Sequence, residues 1–522
     1  MKTFKTTGAC IPSKNYMVDL SSRLKAIKAM VDAGDYFTIN RARQYGKTTT
    51  LTALETYLDP EYTVLSLDFQ GISAGAFETE GEFVQALCRI IIDARDMLGT
   101  DVPDQYIAEM AALNEKEPDR VKLDDIFRVF TKWCKAADKP VVLIIDEVDS
   151  ATNNQVFLDF LAQLRDRYLR RETRNVPTFQ SVILAGVTDV KNLRRKIRPE
   201  DEHKFNSPWN IAADFTVEMS FSVSDISGML AEYEADHHTG MDVESIAQTI
   251  EDYTSGYPFL VSRICQLLDG DSSLSWNQEG ISEIVRRILV EKNTLFDSLM
   301  GKVHDNNRLR EVLWRILFAG EAVSYNPDDI SISDAEMYGL VCNNHGTVKI
   351  TNRIFETRLY NFFLSQAELD SPSYMAGAED KSQFVSNGRL NMEHVISRFV
   401  EIYDDLYGDS EETFVEAEGR QRFLLYVRPI INGTGNYYVE SQTRNNKRMD
   451  LVIDYKGERF VIEMKIWHGP KYHADGEGQL AGYLRRMKLN KGYMLTYSFN
   501  KSKQIGVKTV MVEGKELFEA IV

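Results

Sequence analysis

Two groups of residues in this 522-residue chain have the types and spacing for phosphate chemistry. The first is Gly46-Lys47-Thr48, which follows the short apolar alternation Tyr36–Ile39 and opens a helical pattern through Leu51, Leu54 and Leu58. A strand, a loop and a helix with Gly-Lys-Thr in its first turn point backbone N–H groups and the positive helix end at an anion. Lys47 would reach the β and γ phosphates of a nucleotide, and the Thr48 hydroxyl would ligate Mg²⁺. The pattern departs at one place: the glycine expected five residues before Gly46 is Arg41. About 100 residues on stands Lys139-Pro-Val-Val-Leu-Ile-Ile-Asp146-Glu147. Five apolar residues ending in two acids describe a strand buried on both faces of a parallel sheet, and ligands sit at the carboxyl ends of such strands. Asp146 would hold Mg²⁺, directly or through water, and Glu147 would orient and polarise the attacking water. A capping Asp is the plain alternative, but loop and acidic strand end together are far more specific than either alone.

The second group is Asp450, Glu463, Lys465 and Gln479. Two strands around a tight Lys456-Gly457 turn carry the first three. Period two places Glu463 and Lys465 on one face, with Phe460, Ile462, Met464 and Ile466 on the other. Asp450 can approach Glu463 across the hairpin. Two carboxylates and a lysine make a Mg²⁺ site at a scissile phosphate, with Lys465 orienting water and offsetting charge. Gln479 and Tyr483 lie one turn apart on a following helix, and Gln479 could approach the same centre. A solvated cross-strand pair is the bland alternative.

Other residues stay open. Tyr16 and Asp19 could lie over a nucleotide base or simply pack. Thr188 and Asp189, the polar end of the core strand Phe179–Asp189, could sense a γ-phosphate or cap the strand. Arg194, Arg195, Arg198 and Lys204 could supply an arginine finger or form a solvated face.

The elements that must position these groups alternate strand and helix through residue 222, then read as helices from Val223, broken at Gly256-Tyr257-Pro258, where a proline starts a new helix. A short hairpin feeding a helix follows at 339–364. Residues 99–121 read as a polar excursion, and 366–382 as a linker from its small, turn-forming residues. The expected domains are 1–222, 223–365 and 383–522. Hydrophobic residues make up 43% and charged residues 27%, the balance of a soluble globular protein. Net charge of −17 argues against a chain coated in nucleic acid, though not against a local basic groove. No apolar run approaches the ~20 residues that span a bilayer, no signal peptide stands at Met1–Lys14, and five scattered cysteines fit a reducing, cytoplasmic setting.

On these residues, 15–365 resemble the AAA-type P-loop ATPases near the signal-transduction (STAND) branch. They are most similar to the AAA-ATPase-like family, whose loop commonly reads Arg-Pro-Arg-Arg-Phe-Gly-Lys-Ser where this chain has Arg41-Ala-Arg-Gln-Tyr-Gly-Lys-Thr. The resemblance implies an α/β P-loop sheet with a helical and winged-helix extension. It implies ATP and Mg²⁺ bound by the loop (Arg41, Arg43, Tyr45, Gly46, Lys47, Thr48, Thr49), with Asp146 and Glu147 as the acids and Pro258 near the adenine. Residues 383–522 resemble the PD-(D/E)XK nuclease superfamily, a restriction-endonuclease-like α/β fold. That implies metal at Asp450 and Glu463, catalysis by these with Lys465 and Gln479, and further acids at Glu440 and at Glu416 or Glu418. The expected function is an ATPase coupled to a Mg²⁺-dependent nuclease acting on DNA rather than RNA, with homo-oligomers supplying any arginine finger and no membrane partner. The alternative is an ATP-dependent switch or scaffold whose C-terminal module binds without cutting.

Overall fold

Residues 2–187, 190, 208–319, 321–368, 371–407, 416–432, 434–438, 451–500 and 503–522 are described by the computed structural model. Two compact units divide the chain: Met1–Tyr233 with Gly256–Gln266 and Met337–Gly339, and Glu234–Ser255 with Leu267–Glu336 and Leu340–Val522.

The first unit is built on four parallel strands, β1 (Tyr36–Asn40), β2 (Thr63–Asp68), β3 (Val141–Asp146) and β4 (Ser181–Gly186), in the order β1-β4-β3-β2. Every residue of β3 and β4 is buried, as continuous apolar runs require when both faces are covered. The register pairs Asn40 with Gly186 and Asp68 with Asp146, so the carboxyl ends finish level. An isolated parallel bridge, Phe37 to Ala213, lies on the free side of β1. One face packs Leu143, Ile145, Val182 and Leu184 against Phe127, Phe130, Trp133, Phe157 and Phe160.

Residues 99–121 are not a bare excursion. They contain a helix, Asp104–Asn114, whose Tyr106, Met110 and Leu113 are buried. The polar residues of 99–121 lie mainly on either side of this helix, whose Tyr106–Leu113 stretch is itself mostly apolar. Gln85 Nε2 donates to the carbonyls of Leu113 (3.2 Å) and Lys116 (2.8 Å), satisfying the helix end.

In the second unit, helices include Val243–Thr254, Gln278–Val290, Thr294–Asp305 and Asn307–Trp314. The hairpin β5 (Val341–Asn344) and β6 (Thr347–Ile350) then feeds the helix Arg353–Ala367. The Asn352 side chain accepts from Phe355 N (2.9 Å), fixing that helix start. Residues 366–382 likewise differ from an extended linker. Ser371 caps a helix, Pro372–Asp380, with proline at its first position. That helix packs on Glu416–Ile431, close enough that a Cβ on Gly377 would stand 2.0 Å from the Tyr426 carbonyl oxygen. A short ladder, β7 (Val385–Ser386) with β8 (Arg389–Leu390), precedes the helix Met392–Tyr407.

The C-terminal sheet has six strands: β9 (Gly435–Tyr438), β10 (Leu451–Tyr455), β11 (Glu458–Ile466), β12 (Lys491–Tyr497), β13 (Gly506–Val512) and β14 (Lys515–Ile521). Their order is β13-β14-β12-β11-β10-β9. β9, β10 and β11 are antiparallel, while β11, β12 and β14 are parallel. The helix Pro470–Arg486 makes the crossover from β11 to β12. Its Leu480, Tyr483 and Leu484 pack with Val452, Val461 and Met494. β13 and β14 turn at Glu513 and Gly514, both at positive φ as a two-residue hairpin requires.

Gly377→Val is expected to destabilise the chain by about 1–3 kcal/mol through overpacking against the Tyr426 carbonyl. Gly301→Ala, with nothing within 4 Å of its Cβ, is expected to be neutral or stabilising by up to about 1 kcal/mol as a helical Gly-to-Ala change. Urea unfolding of both variants checks the pair.

Candidate functional site

At the carboxyl ends of β1 and β3 the chain forms a cavity of about 380 Å³. Gly46 sits at φ 78, a left-handed conformation that glycine adopts without strain. It precedes the Lys47–Leu58 helix with no side-chain cap, leaving the helix amino end to an outside acceptor. Lys47 is buried, and its Nζ donates to the carbonyls of Arg41 (2.9 Å) and Ala42 (3.1 Å). Thr48 Oγ1 donates to Asp146 Oδ2 at 2.9 Å, and Glu147 N donates to Asp146 Oδ1 at 2.9 Å. The hydroxyl and the carboxylate expected around Mg²⁺ therefore stand side by side, joined across a sequence distance of 98 residues.

Charge follows from burial. Lys47 is pushed down chiefly by desolvation, opposed by Glu147, Asp149 and Asp146. Asp146 is pushed up by desolvation, against its Thr48 hydrogen bond. Glu147 is pushed up by desolvation and by Asp146. Each charge is costly alone, so a lysine facing an acidic cluster suits a ligand that carries phosphate and a divalent ion together. Glu147 adopts φ 54, a strained value that turns its backbone at the strand end. Asp149 Oδ2 accepts from Val187 N (2.7 Å), tying the segment after β3 to the end of β4.

Gly46, Lys47, Thr48, Thr49, Tyr45, Asp146, Glu147 and Pro258 all line the cavity. Arg41 and Arg43 are not among its lining residues. The Arg41 guanidinium donates to the Asn40 and Val217 carbonyls (both 3.1 Å) and lies over Phe215. The Arg43 side chain is exposed, while its carbonyl accepts from Tyr257 Oη at 2.6 Å. The residues after Gly256 are held by backbone. A Cβ there would fall 2.1 Å from the Phe221 oxygen, and Phe221 N donates to the Gly256 carbonyl at 2.8 Å. Tyr16 lines the cavity, whereas Asp19 accepts from Ser21 N and Oγ at the start of the first helix. Thr188, Asp189, Arg194, Arg195, Arg198 and Lys204 lie outside the described residues.

Several wall residues carry no motif. Lys5, Thr6, Gly8 and Cys10 come from the N-terminal segment, and Cys10 N donates to Thr49 Oγ1 at 3.1 Å. Arg23 donates to the Glu218 and Met219 carbonyls. Asp68, the register partner of Asp146, adds a third strand-end acid. Only strand pairing makes Asp68 recognisable.

In the second unit, Glu463 and Lys465 share one face of β11, with Lys465 Nζ 3.0 Å from Glu463 Oε1. Glu463 is 1% exposed. The Lys465 stem lies against Gly476, where a Cβ would meet its Cε at 3.2 Å, and its Nζ stands 5.3 Å from the Tyr472 ring centre. Gln479 is half-buried on the same helix, one turn beyond Gly476. Tyr483 is buried in the core under β10 and β11. Asp450 and Glu440 lie outside the described residues, as does the Glu416 side chain; Glu418 is half-buried in the Glu416–Ile431 helix.

A family model described as an AAA-like domain matches residues 7–365, and the chain belongs to that family. No curated protein matches it. Among solved structures it is similar to a Walker-type ATPase of Pyrococcus abyssi, at 14% identity and a TM-score of 0.46, over 68% of this chain and 99% of that one. It is similar to the ORC2 protein of Aeropyrum pernix at 12% identity and 0.36, over 69% and 98%. It is similar to RuvB of Thermotoga maritima at 13% identity and 0.32, over 64% and 92%. These likenesses are distant, and the reading rests on the family and the cavity. With the P-loop geometry, family membership makes this an ATP-binding module of ATPase type. Residues 366–522 fall outside the match. Among the described residues no helix is long and apolar enough to cross a membrane.

Two outcomes are expected of this cavity. Lys47→Ala removes charge-assisted hydrogen bonds of about 1.5–3 kcal/mol, so ATP affinity by calorimetry should fall at least about tenfold. The carboxyls of Asp146 and Glu147 are raised above their ordinary 3.8 and 4.5. The folded, ligand-free chain therefore favours their protonated forms and loses that stability as pH rises through the raised values. Mg²⁺·ATP needs the ionised forms, so its affinity should fall on acidification at a pH above those ordinary values. Asp146→Asn should weaken Mg²⁺·ATP binding and flatten that pH dependence.

Proposed function

We propose that this chain hydrolyses Mg²⁺·ATP in the P-loop cavity and carries, in its C-terminal sheet, a Mg²⁺-dependent nuclease-like centre for nucleic acid, DNA in preference to RNA. At the first site Thr48 and Asp146 would hold the ion, Lys47 and the helix amino end the phosphates, and Glu147 the attacking water. The Tyr16 and Pro258 walls fit the base. Lys47 now rests on loop carbonyls that a phosphate would replace as its partners.

The nuclease reading is carried by one observation: Glu463 and Lys465, adjacent on one face of β11, at the step where antiparallel β9-β10-β11 pass through a crossover helix into parallel β12. The β10–β11 hairpin and the following helix that carries Gln479 are the elements on which the PD-(D/E)XK resemblance rests. Glu463, buried beside a lysine, would hold Mg²⁺ with Asp450, which precedes β10 in sequence. A bound Mg²⁺ supplies charge neutralisation at the scissile phosphate. Lys465 would orient water there, and Gln479 would support it from the crossover helix. The hairpin β5–β6 and its following helix are read as a winged helix. Its tip, Asn343-Asn344-His345-Gly346, carries no Lys or Arg, which favours a lever contacting protein over a DNA reader.

The competing reading is a switch or scaffold in which the Glu463–Lys465 pair is a structural ion pair. Labelled single- and double-stranded DNA, incubated with the protein with and without ATP and Mg²⁺, separates the two. Cleavage that Lys465→Ala abolishes, with ATP hydrolysis retained, is the expected result. ATP hydrolysis with no Mg²⁺-dependent cleavage would establish the scaffold reading instead.

A further inference from the structure

The crossover helix and the last strand bring together three metal-ligating side chains that the nuclease reading does not use. His473 Nε2 lies 3.3 Å from Glu519 Oε2 and 3.6 Å from Glu477 Oε1. One ligand atom from each of the three residues falls within 4.8 Å of the others. His473 and Glu477 stand one helical turn apart, the spacing that places two ligands on one face. Glu519 comes from β14, so the cluster forms only when helix and sheet pack.

Two features set it apart from an ordinary ion-pair cluster. Glu519 is 1% exposed, yet among the described residues its Oε1 has no hydrogen-bond partner. A carboxylate oxygen in that state is costly unless a cation or proton completes it. Among the described residues, the ammonium on Glu519 is Lys508 Nζ, 2.9 Å from Oε2, and its side chain is 56% exposed. It can withdraw to solvent when a better cation arrives. The register also separates this cluster from the nuclease-like centre. Glu463 pairs with Met494, and Met494 with Glu519. The two acids therefore share a face with one strand between them, roughly 10 Å apart at two strand spacings.

We propose that His473, Glu477 and Glu519 form a second cation site, for a divalent first-row transition ion. One imidazole and two carboxylates match the N/O donors Zn²⁺ accepts, and leave a fourth position for water. The imidazole disfavours Mg²⁺, which prefers all-oxygen surroundings. Zn²⁺ should bind more tightly than Mn²⁺. The ion displaces Lys508 from Glu519.

The test uses the full chain stripped with chelator, titrated with Zn²⁺ by calorimetry and with Mn²⁺ by electron paramagnetic resonance. Glu477→Gln and His473→Gln should each weaken one Zn²⁺ site at least about tenfold, the scale of loss that even supporting groups cause. Their far-UV circular dichroism in chelator should match the parent. Lys508→Met should tighten the same site several-fold, because a competing cation is gone; a purely structural ion pair gives no such gain. Glu463→Gln and Lys465→Ala should leave this site intact, which keeps its fate separate from that of the nuclease centre. Zn²⁺ stoichiometry and affinity unchanged in both Glu477→Gln and His473→Gln, or no Zn²⁺ bound by the parent, overturns the proposal.

Discussion

Thr48 and Asp146 meet through a single 2.9 Å hydrogen bond, and the nucleotide cavity depends on what makes that contact available. The two residues come from a helix start and a strand end far apart in sequence. They meet because β1, β4 and β3 run parallel in register, so that the turn after β1 and the end of β3 open on the same side. Desolvation by that sheet raises the Asp146 and Glu147 carboxyls and lowers Lys47. The sheet thus makes the pocket and also creates the unfavourable charge balance that Mg²⁺ and phosphate would relieve.

How much of this was legible in the chain depended on range. The β3 strand showed itself as a run of apolar residues closed by two acids, because burial on both faces leaves no polar alternation. The Gly-Lys-Thr turn showed itself because a left-handed glycine at a helix start is local chemistry. Contacts formed by distant segments left no such trace. Nothing near Arg41 announces that its guanidinium turns to the Val217 carbonyl and away from the cavity. Nothing in Lys5–Cys10 announces a cavity wall. The short Asp104–Asn114 helix is hidden because strongly polar segments flank it on both sides, and 366–382 because small residues serve close helix packing as well as linkers.

The C-terminal sheet repeats the lesson. The Lys456-Gly457 turn and the Glu463/Lys465 alternation were visible, since hairpins and strand faces are local. The crossover helix seating Gly476 on the Lys465 stem was not, and neither was Glu519, whose meaning arises from β14 lying beside β12. Small residues recur where elements close: Gly476 on Lys465, Gly419 on Tyr497, Gly377 on the Tyr426 carbonyl. A Cβ would clash at Gly377 and Gly419, and at Gly476 would force the Met494 and Lys465 side chains to shift.

Amide hydrogen exchange, with and without Mg²⁺ and a non-hydrolysable ATP analogue, tests the account most directly. It predicts added protection in Gln44–Thr50, around Tyr16 and in Pro258–Ser262, with Glu458–Ile466 unchanged. Unaltered exchange across Gln44–Thr50 under saturating analogue would contradict it.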